Sequence, residues 1–207
     1  MNSIINKFTL TPWFFHLFYP KTLFANCTQT SPIFEVRVAI SSDLHSISKI
    51  IADSFHSRHG IWGWIFPLLH LSIYEDLRQR LALRNPHYIC LVAVNSPQRI
   101  NHLIGTVEMT LRFSDSFKKT GKNFPYLSNL AVNRKYRRQG VASQLLNSCE
   151  QIAISWGFKE LYLHVLEDNQ QAQQLYFKLG YRIYTMDSHW NKFTFWRSRQ
   201  ILLYKQL

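Results

Sequence analysis

Cysteine, glycine, proline and acidic residues are all scarce in this chain, and each shortage removes a class of protein. Three cysteines occur in 207 residues, Cys27, Cys90 and Cys149, widely separated and without CxxC or Cys/His spacing. Neither a disulfide framework nor a zinc site is therefore written into the sequence, and no metal is expected. Cys90 lies in an apolar strand-like run and Cys149 on an apolar helical face, where packing is the expected role of a thiol. Seven glycines and seven prolines, against 46% hydrophobic and 15% aromatic residues, exclude a low-complexity or disordered body. No stretch approaches the roughly 18 apolar residues of a membrane-spanning helix. Asp and Glu number 12 against 24 Lys and Arg, a net charge of +12. That balance favours polyanionic partners: nucleic acid, an acidic membrane surface or a phosphorylated cofactor.

Residues 1–33 stand apart from the rest. Trp13 to Tyr19 is apolar but short, broken by His16 and stopped at Pro20, with no small-x-small cleavage site close behind, so a secretory signal is not expected. Lys7 and Lys21 with no acidic residue before Glu35 loosely fit an organelle transit segment. A mobile or loosely docked extension is the plainer expectation. From Phe34 to Leu207 strand and helix patterns alternate, which predicts an α/β domain with a mixed, α+β-like sheet. Strands are expected at Phe34–Ile40, Tyr88–Val94, Leu103–Phe113, Tyr126–Val132, Glu160–Leu166, Tyr181–Met186 and Phe193–Tyr204. Helices are expected after Ser41–Asp43, with Leu44, Ile47, Ile51 and Phe55 on one face, within Ile61–Leu83, over Val141–Trp156, and after Asp168 or Asn169. In the third of these, Ala142, Leu145, Leu146, Cys149, Ile152, Ala153 and Trp156 form the core stripe. Ser143, Gln144, Asn147, Glu150 and Gln151 are left facing water. The polar, lysine-bearing stretch Ser114–Asn123 reads as a mobile loop.

The chemistry concentrates between the fourth strand and the third helix. A strand, a turn containing Gly140 and the first turn of a helix direct unpaired N–H groups and the positive end of the helix dipole at one spot. Gly140 permits close approach of the backbone to a ligand, and Ala142 keeps the helix start uncrowded. Arg134, Lys135, Arg137 and Arg138 add positive charge, so a pyrophosphate is a physically apt guest. Taken alone, the same basic cluster equally reads as a solvated surface or a nucleic-acid patch.

Two motifs in order resolve that choice. Leu130-Ala131-Val132 on a strand precede Arg137-x-x-Gly140-x-Ala142, and a second strand precedes Asn169-x-x-Ala172 with Tyr176 seven residues beyond the Asn, before Leu179-Gly180-Tyr181. The segment Leu127–Tyr181 resembles the GNAT N-acetyltransferases at these points. The resemblance implies the GNAT fold, about six to seven strands flanked by about four helices, and acetyl-CoA as the acyl-donating cosubstrate. It implies that the backbone of Leu130, Ala131 and Val132 pairs with the pantetheine arm. Arg137, Arg138, Gln139, Gly140, Val141 and Ala142 would hold the pyrophosphate, and Asn169 would contact the cofactor. Tyr176 is implied as the general acid at the thioester sulfur, with an aromatic core residue as the alternative.

Removal of a proton from the attacking amine needs a base. His164, in Leu163-His164-Val165, is the first candidate, since the strand resembles that of protein N-terminal acetyltransferases that use a His there; a hydrogen-bonded structural His is the alternative. Glu108, in Gly105-Thr106-Val107-Glu108-Met109, is the second, with a polar residue on the wet face of a strand as its alternative. Ile73–Arg78, Asn129–Val132 and Trp156-Gly157-Phe158 with Leu161–Val165 are similar to plastid-type members. The implied acceptor is a protein N-terminus or a lysine, with a small amine, or a non-enzymatic CoA- or nucleic-acid-binding module, as rivals. Tyr184, Trp190, Phe193, Phe195 and Trp196 would either wall a peptide terminus or fill core. The implied compartment is the plastid stroma for a plant or algal chain and the cytoplasm for a prokaryotic one. Monomer and dimer both remain open.

Overall fold

The computed structural model describes residues 34–55, 66–83, 85–95, 102–113, 123–186 and 199–207. The expectations for residues 1–33, for most of the loop at 114–123 and for Trp190, Phe193, Phe195 and Trp196 fall outside these. Among the described residues there are seven strands: β1 (Phe34–Val38), β2 (Tyr88–Asn95), β3 (His102–Phe113), β4 (Asn123–Val132), β5 (Glu160–Leu166), β6 (Arg182–Met186) and β7 (Gln200–Gln206). Four α-helices accompany them: α1 (Leu44–Phe55), α2 (Phe66–Ala82), α3 (Val141–Ser155) and α4 (Gln170–Lys178). The strands form one sheet in the order β1-β2-β3-β4-β5-β7-β6. All neighbours run antiparallel except β4 and β5, which are parallel.

The register assigns the two faces. A Cβ added to Gly105 would meet Val141 Cγ1 at 2.9 Å and Leu145 Cδ1 at 3.2 Å, so α3 lies on the face shared by Gly105, Val107 and Met109, where only a residue without a side chain fits at 105. The alternate residues of β3, Thr106, Glu108, Thr110 and Arg112, face the other way. Their partners Val92 and Cys90 on β2 pack with Ile47, Ile51 and Leu77 of α1 and α2. Pairings Arg112↔Phe124, Thr110↔Tyr126, Glu108↔Ser128 and Tyr126↔Tyr162 carry this second face across β4 and β5. Strand alternation puts His164 on it too.

α1 forms because Leu44, Ile47 and Ile51 recur at helical spacing and all become buried. Its entry is fixed by Asp43, which accepts the Ile40 N–H at 2.9 Å and both Arg37 guanidinium nitrogens at 2.6 and 3.0 Å. α3 buries Leu145, Leu146, Cys149, Ile152 and Ala153 as its sequence pattern predicts. The water-facing assignment of Glu150 is corrected. Glu150 is buried, with Lys205 Nζ of β7 donating to it at 2.7 Å and the Tyr181 hydroxyl at 3.4 Å. Cys90 and Cys149 are buried free thiols, and burial pushes Cys90 up to about 12. No described helix is long and apolar enough to cross a membrane, and no described residues cluster as a metal site.

Candidate active site

β4 and β5 begin side by side and then part. Their pairing covers Tyr126↔Tyr162 and Leu127↔Leu163 and extends no further, although β4 runs on to Val132 and β5 to Leu166. Beyond the parting, the Asn133 N–H donates to Ile104 C=O on β3 at 2.8 Å. By strand alternation the N–H groups of Val132 and of Leu130 before it therefore point away from β3 into the opening, while the Val132 C=O on that side accepts from Arg137. An unpaired strand edge of this kind accepts an extended amide-bearing chain as an added strand.

The opening ends at a turn built for an anion. Arg134–Tyr136 make one 3-10 turn, capped by Asn133 Oδ1 accepting from Lys135 N–H at 3.1 Å. Arg137 Nε then donates to Val132 C=O at 3.2 Å, tying the turn back to the strand. Arg138 and Gly140 take φ of 63° and 84°. The left-handed Gly140 is the N-cap of α3, and the first helical bond is Gln144 N–H to Gly140 C=O at 3.0 Å. Among the described residues the N–H groups of Arg138 to Ser143 therefore find no main-chain acceptor, and they converge at the positive end of the helix. Arg134, Lys135, Arg137 and Arg138 are exposed and pair with no described carboxylate. Main-chain amides without a described acceptor, a left-handed glycine and exposed cations fit the pyrophosphate of a nucleotide cofactor, and the β4 edge fits its amide-bearing arm.

Tyr176 lies on α4, whose N-cap is Asn169. Asn169 Oδ1 accepts from Ala172 N–H at 3.1 Å, which gives the N-x-x-A spacing a structural role in addition to any contact with the cofactor. Tyr176 is buried and its ring packs edge-on against Tyr181 at 5.7 Å. Among the described residues its hydroxyl makes no hydrogen bond. Burial, with Tyr126 nearby, pushes the phenol well above its ordinary value, keeping it protonated.

On the opposite face His164 is half-buried, and its Nδ1 shares a hydrogen bond of 2.9 Å with the Tyr126 hydroxyl. The Arg112 guanidinium lies 3.5 Å from the Tyr126 ring centroid, a cation–π contact. Burial raises the Tyr126 phenol despite that nearby cation. Tyr126 and His164 thus form a bonded pair on this face, with Tyr176 near Tyr126.

Glu108 is in a different setting. It is fully buried, so the wet-face alternative is overturned. Its Oε2 accepts from the Tyr88 hydroxyl at 2.9 Å and from Arg80 at 3.1 Å, and its Oε1 from Asn129 Nδ2 at 2.6 Å. The sequence pattern does not single out Tyr126, Arg112, Arg80, Tyr88 or the conformation of Asn129. An Asn inside a β-rich run is the one signal present, since that residue is depleted in strands and tolerates positive φ.

Comparison with known proteins agrees with this geometry. The profile of the Acetyltransferase (GNAT) family matches residues 45–181. The chain is 28% identical to GCN5-related N-acetyltransferase 10, chloroplastic, of Arabidopsis thaliana, over 79% of this chain and 68% of that protein. It is 34% identical to the chloroplastic GCN5-related N-acetyltransferase 7 of the same plant, but across only 30% of that protein's length. It is 36% identical to thialysine N-epsilon-acetyltransferase of Sus scrofa, over 67% of this chain and 89% of the relative. In fold it is similar to the crystal structure of Arabidopsis thaliana NAA60 with a bisubstrate analogue, at a TM-score of 0.60 and 20% identity, covering 84% of this chain and 97% of that one. The profile match spanning most of the chain makes this protein a member of the GNAT family, an acetyl-CoA-dependent N-acetyltransferase.

Proposed function

We propose that this N-acetyltransferase acts on a primary amine of a protein or peptide, an N-terminus or a lysine. The observation that carries the proposal is the Tyr126–His164 hydrogen bond on the second face of the sheet, with Tyr176 of α4 near Tyr126. Acetyl-CoA, when bound, supplies an activated thioester whose acyl carbon a free amine attacks. The turn from Arg137 to Ala142 holds the pyrophosphate through main-chain N–H groups, and the outward edge of Leu130–Val132 pairs with the pantetheine amides. Asn169, the N-cap of α4, contacts the cofactor in this reading.

His164 takes the proton that the amine sheds as the new C–N bond forms. The Tyr126 hydroxyl, bonded to Nδ1, orients the ring and sets which nitrogen carries hydrogen. Tyr176 keeps a proton on its hydroxyl oxygen at neutral pH and delivers it to the departing sulfur as the C–S bond breaks. One proton leaves the amine and one reaches sulfur, so the reaction balances without any other reagent.

A small-amine acceptor is the second reading. It is favoured by the 36% identity to a relative named for thialysine, over 89% of that relative. The chloroplastic relatives support the plastid stroma as the working compartment of a plant or algal chain. An acetyl-transfer assay over peptide N-termini, lysine peptides and small amines including thialysine separates the acceptors. The proposal expects kcat/KM for a peptide amine to exceed that for every small amine; the reverse order assigns the small-amine reading.

A further inference from the structure

Proton transfer through His164 and Tyr176 gives no task to the most deeply buried carboxyl group among the described residues, that of Glu108. Glu108 has no solvent exposure and both of its oxygens are engaged by protein donors, from α2 (Arg80), from β2 (Tyr88) and from β4 (Asn129). The shortest of these bonds, 2.6 Å, comes from the residue with the least ordinary backbone. Asn129 has φ 51°, in the left-handed region that costs an L-residue about 1–2 kcal/mol. The register shows what this conformation does: Thr106 to Glu108 on β3 span two steps while Ala131 to Ser128 on β4 span three, so β4 carries one extra residue. Such a bulge bends and twists its strand and re-aims the residues beyond it. Asn129 lies two residues past Leu127, the last β4 residue paired with β5, and immediately before Leu130–Val132.

We propose that Glu108 is a positioning residue for acetyl-CoA: by holding the Asn129 side chain it locks the β4 bulge that turns the Leu130–Val132 edge into the opening between β4 and β5. Arg80 and Tyr88 fix the other carboxylate oxygen, so the bulge is braced against α2 and β2. The proposal rests on the placement of the pantetheine arm along that edge.

The test is calorimetric binding of acetyl-CoA to the full chain and to Glu108→Ala, Glu108→Gln, Asn129→Ala, Asn129→Gly and the Glu108→Ala/Asn129→Gly double variant. Hydrogen exchange at the Leu130 and Val132 amides is read alongside, with pH profiles of kcat/KM. Glycine adopts positive φ without support from a neighbour, and alanine does not. Glu108→Ala and Asn129→Ala are expected to weaken acetyl-CoA about tenfold, the equivalent of 1.4 kcal/mol. Asn129→Gly should stay near wild type, and in the double variant it should recover most of the loss. Glu108→Gln, which keeps an acceptor for Asn129, should retain most of the affinity and the acid-side limb of the pH profile.

A double variant no better than Glu108→Ala overturns the proposal. So does Glu108→Gln with intact affinity but no acid-side limb, the signature of a base. If Glu108→Ala does not fold, equal affinities of Asn129→Ala and Asn129→Gly overturn it instead. Wild-type binding without protection of the Leu130 and Val132 amides refutes the placement of the arm, a failure distinct from that of the Glu108 role.

Discussion

At the turn between β4 and α3 the groups presented to a ligand are main-chain: the amides from Arg138 to Ser143, with Gly140 at φ 84° shaping their path. On the second face of the sheet the presented groups are side chains from separate strands, with Tyr126 of β4 bonded to His164 of β5 and stacked under Arg112 of β3. Backbone amides suit a ligand part shared by every substrate, because their geometry follows from the fold and survives change in the neighbouring side chains. Side chains suit the variable step, because one substitution alters polarity, reach and proton affinity together. In the proposed reading the cofactor half of the site is therefore a product of chain path, and the proton-handling half a product of residue identity.

The largest effects should come from the side-chain half. Tyr176→Phe removes the proposed proton donor and should lower kcat about 100-fold with acetyl-CoA affinity unchanged. His164→Ala should cost a similar factor and also erase the acid-side limb of the kcat/KM profile, because a base must be deprotonated to act. Pre-steady-state kinetics and pH profiles read both effects. Unchanged turnover in Tyr176→Phe would remove it as the acid and sharpen the comparison toward His164 alone.

A smaller effect tests a charged pair that belongs to neither half. Burial acts to raise Asp43, but hydrogen bonds from Arg37 and the Ile40 N–H outweigh it and hold the carboxyl below its ordinary value. Because the folded value is depressed, the pair's stabilisation is present above the unfolded value of about 3.9 and lost as pH falls through the folded one. Asp43→Asn should remove that acid-side dependence in urea unfolding and cost about 1 kcal/mol at neutral pH, Arg37 being partly solvated. Acetyl-CoA affinity should not change.

The same division explains what can be read from sequence. Gly140, Ala142, Asn169 and Tyr176 lie within two short local motifs, and the strand and helix that position them show as periodicity. The Asn169-x-x-Ala172 spacing even has a local cause, a side-chain cap on one amide. The second face of the sheet has no such locality. Tyr126 and His164 are 38 residues apart, and Glu108 meets Arg80 and Asn129 across 28 and 21 residues. Helical periodicity assigns Glu150 to water because it registers one buried stripe. It cannot register that Lys205, on the last strand, closes over the flank of α3.

Calorimetric titration of acetyl-CoA into wild type, Gly140→Ala and His164→Ala tests this division most directly. A Cβ at position 140 meets nothing within 4 Å among the described residues, so Gly140→Ala strains the left-handed backbone, at a cost of about 1–2 kcal/mol, without crowding the protein itself. The account predicts roughly tenfold weaker binding for Gly140→Ala and affinity within about twofold of wild type for His164→Ala. Wild-type affinity in Gly140→Ala, or an equal loss in His164→Ala, would contradict it.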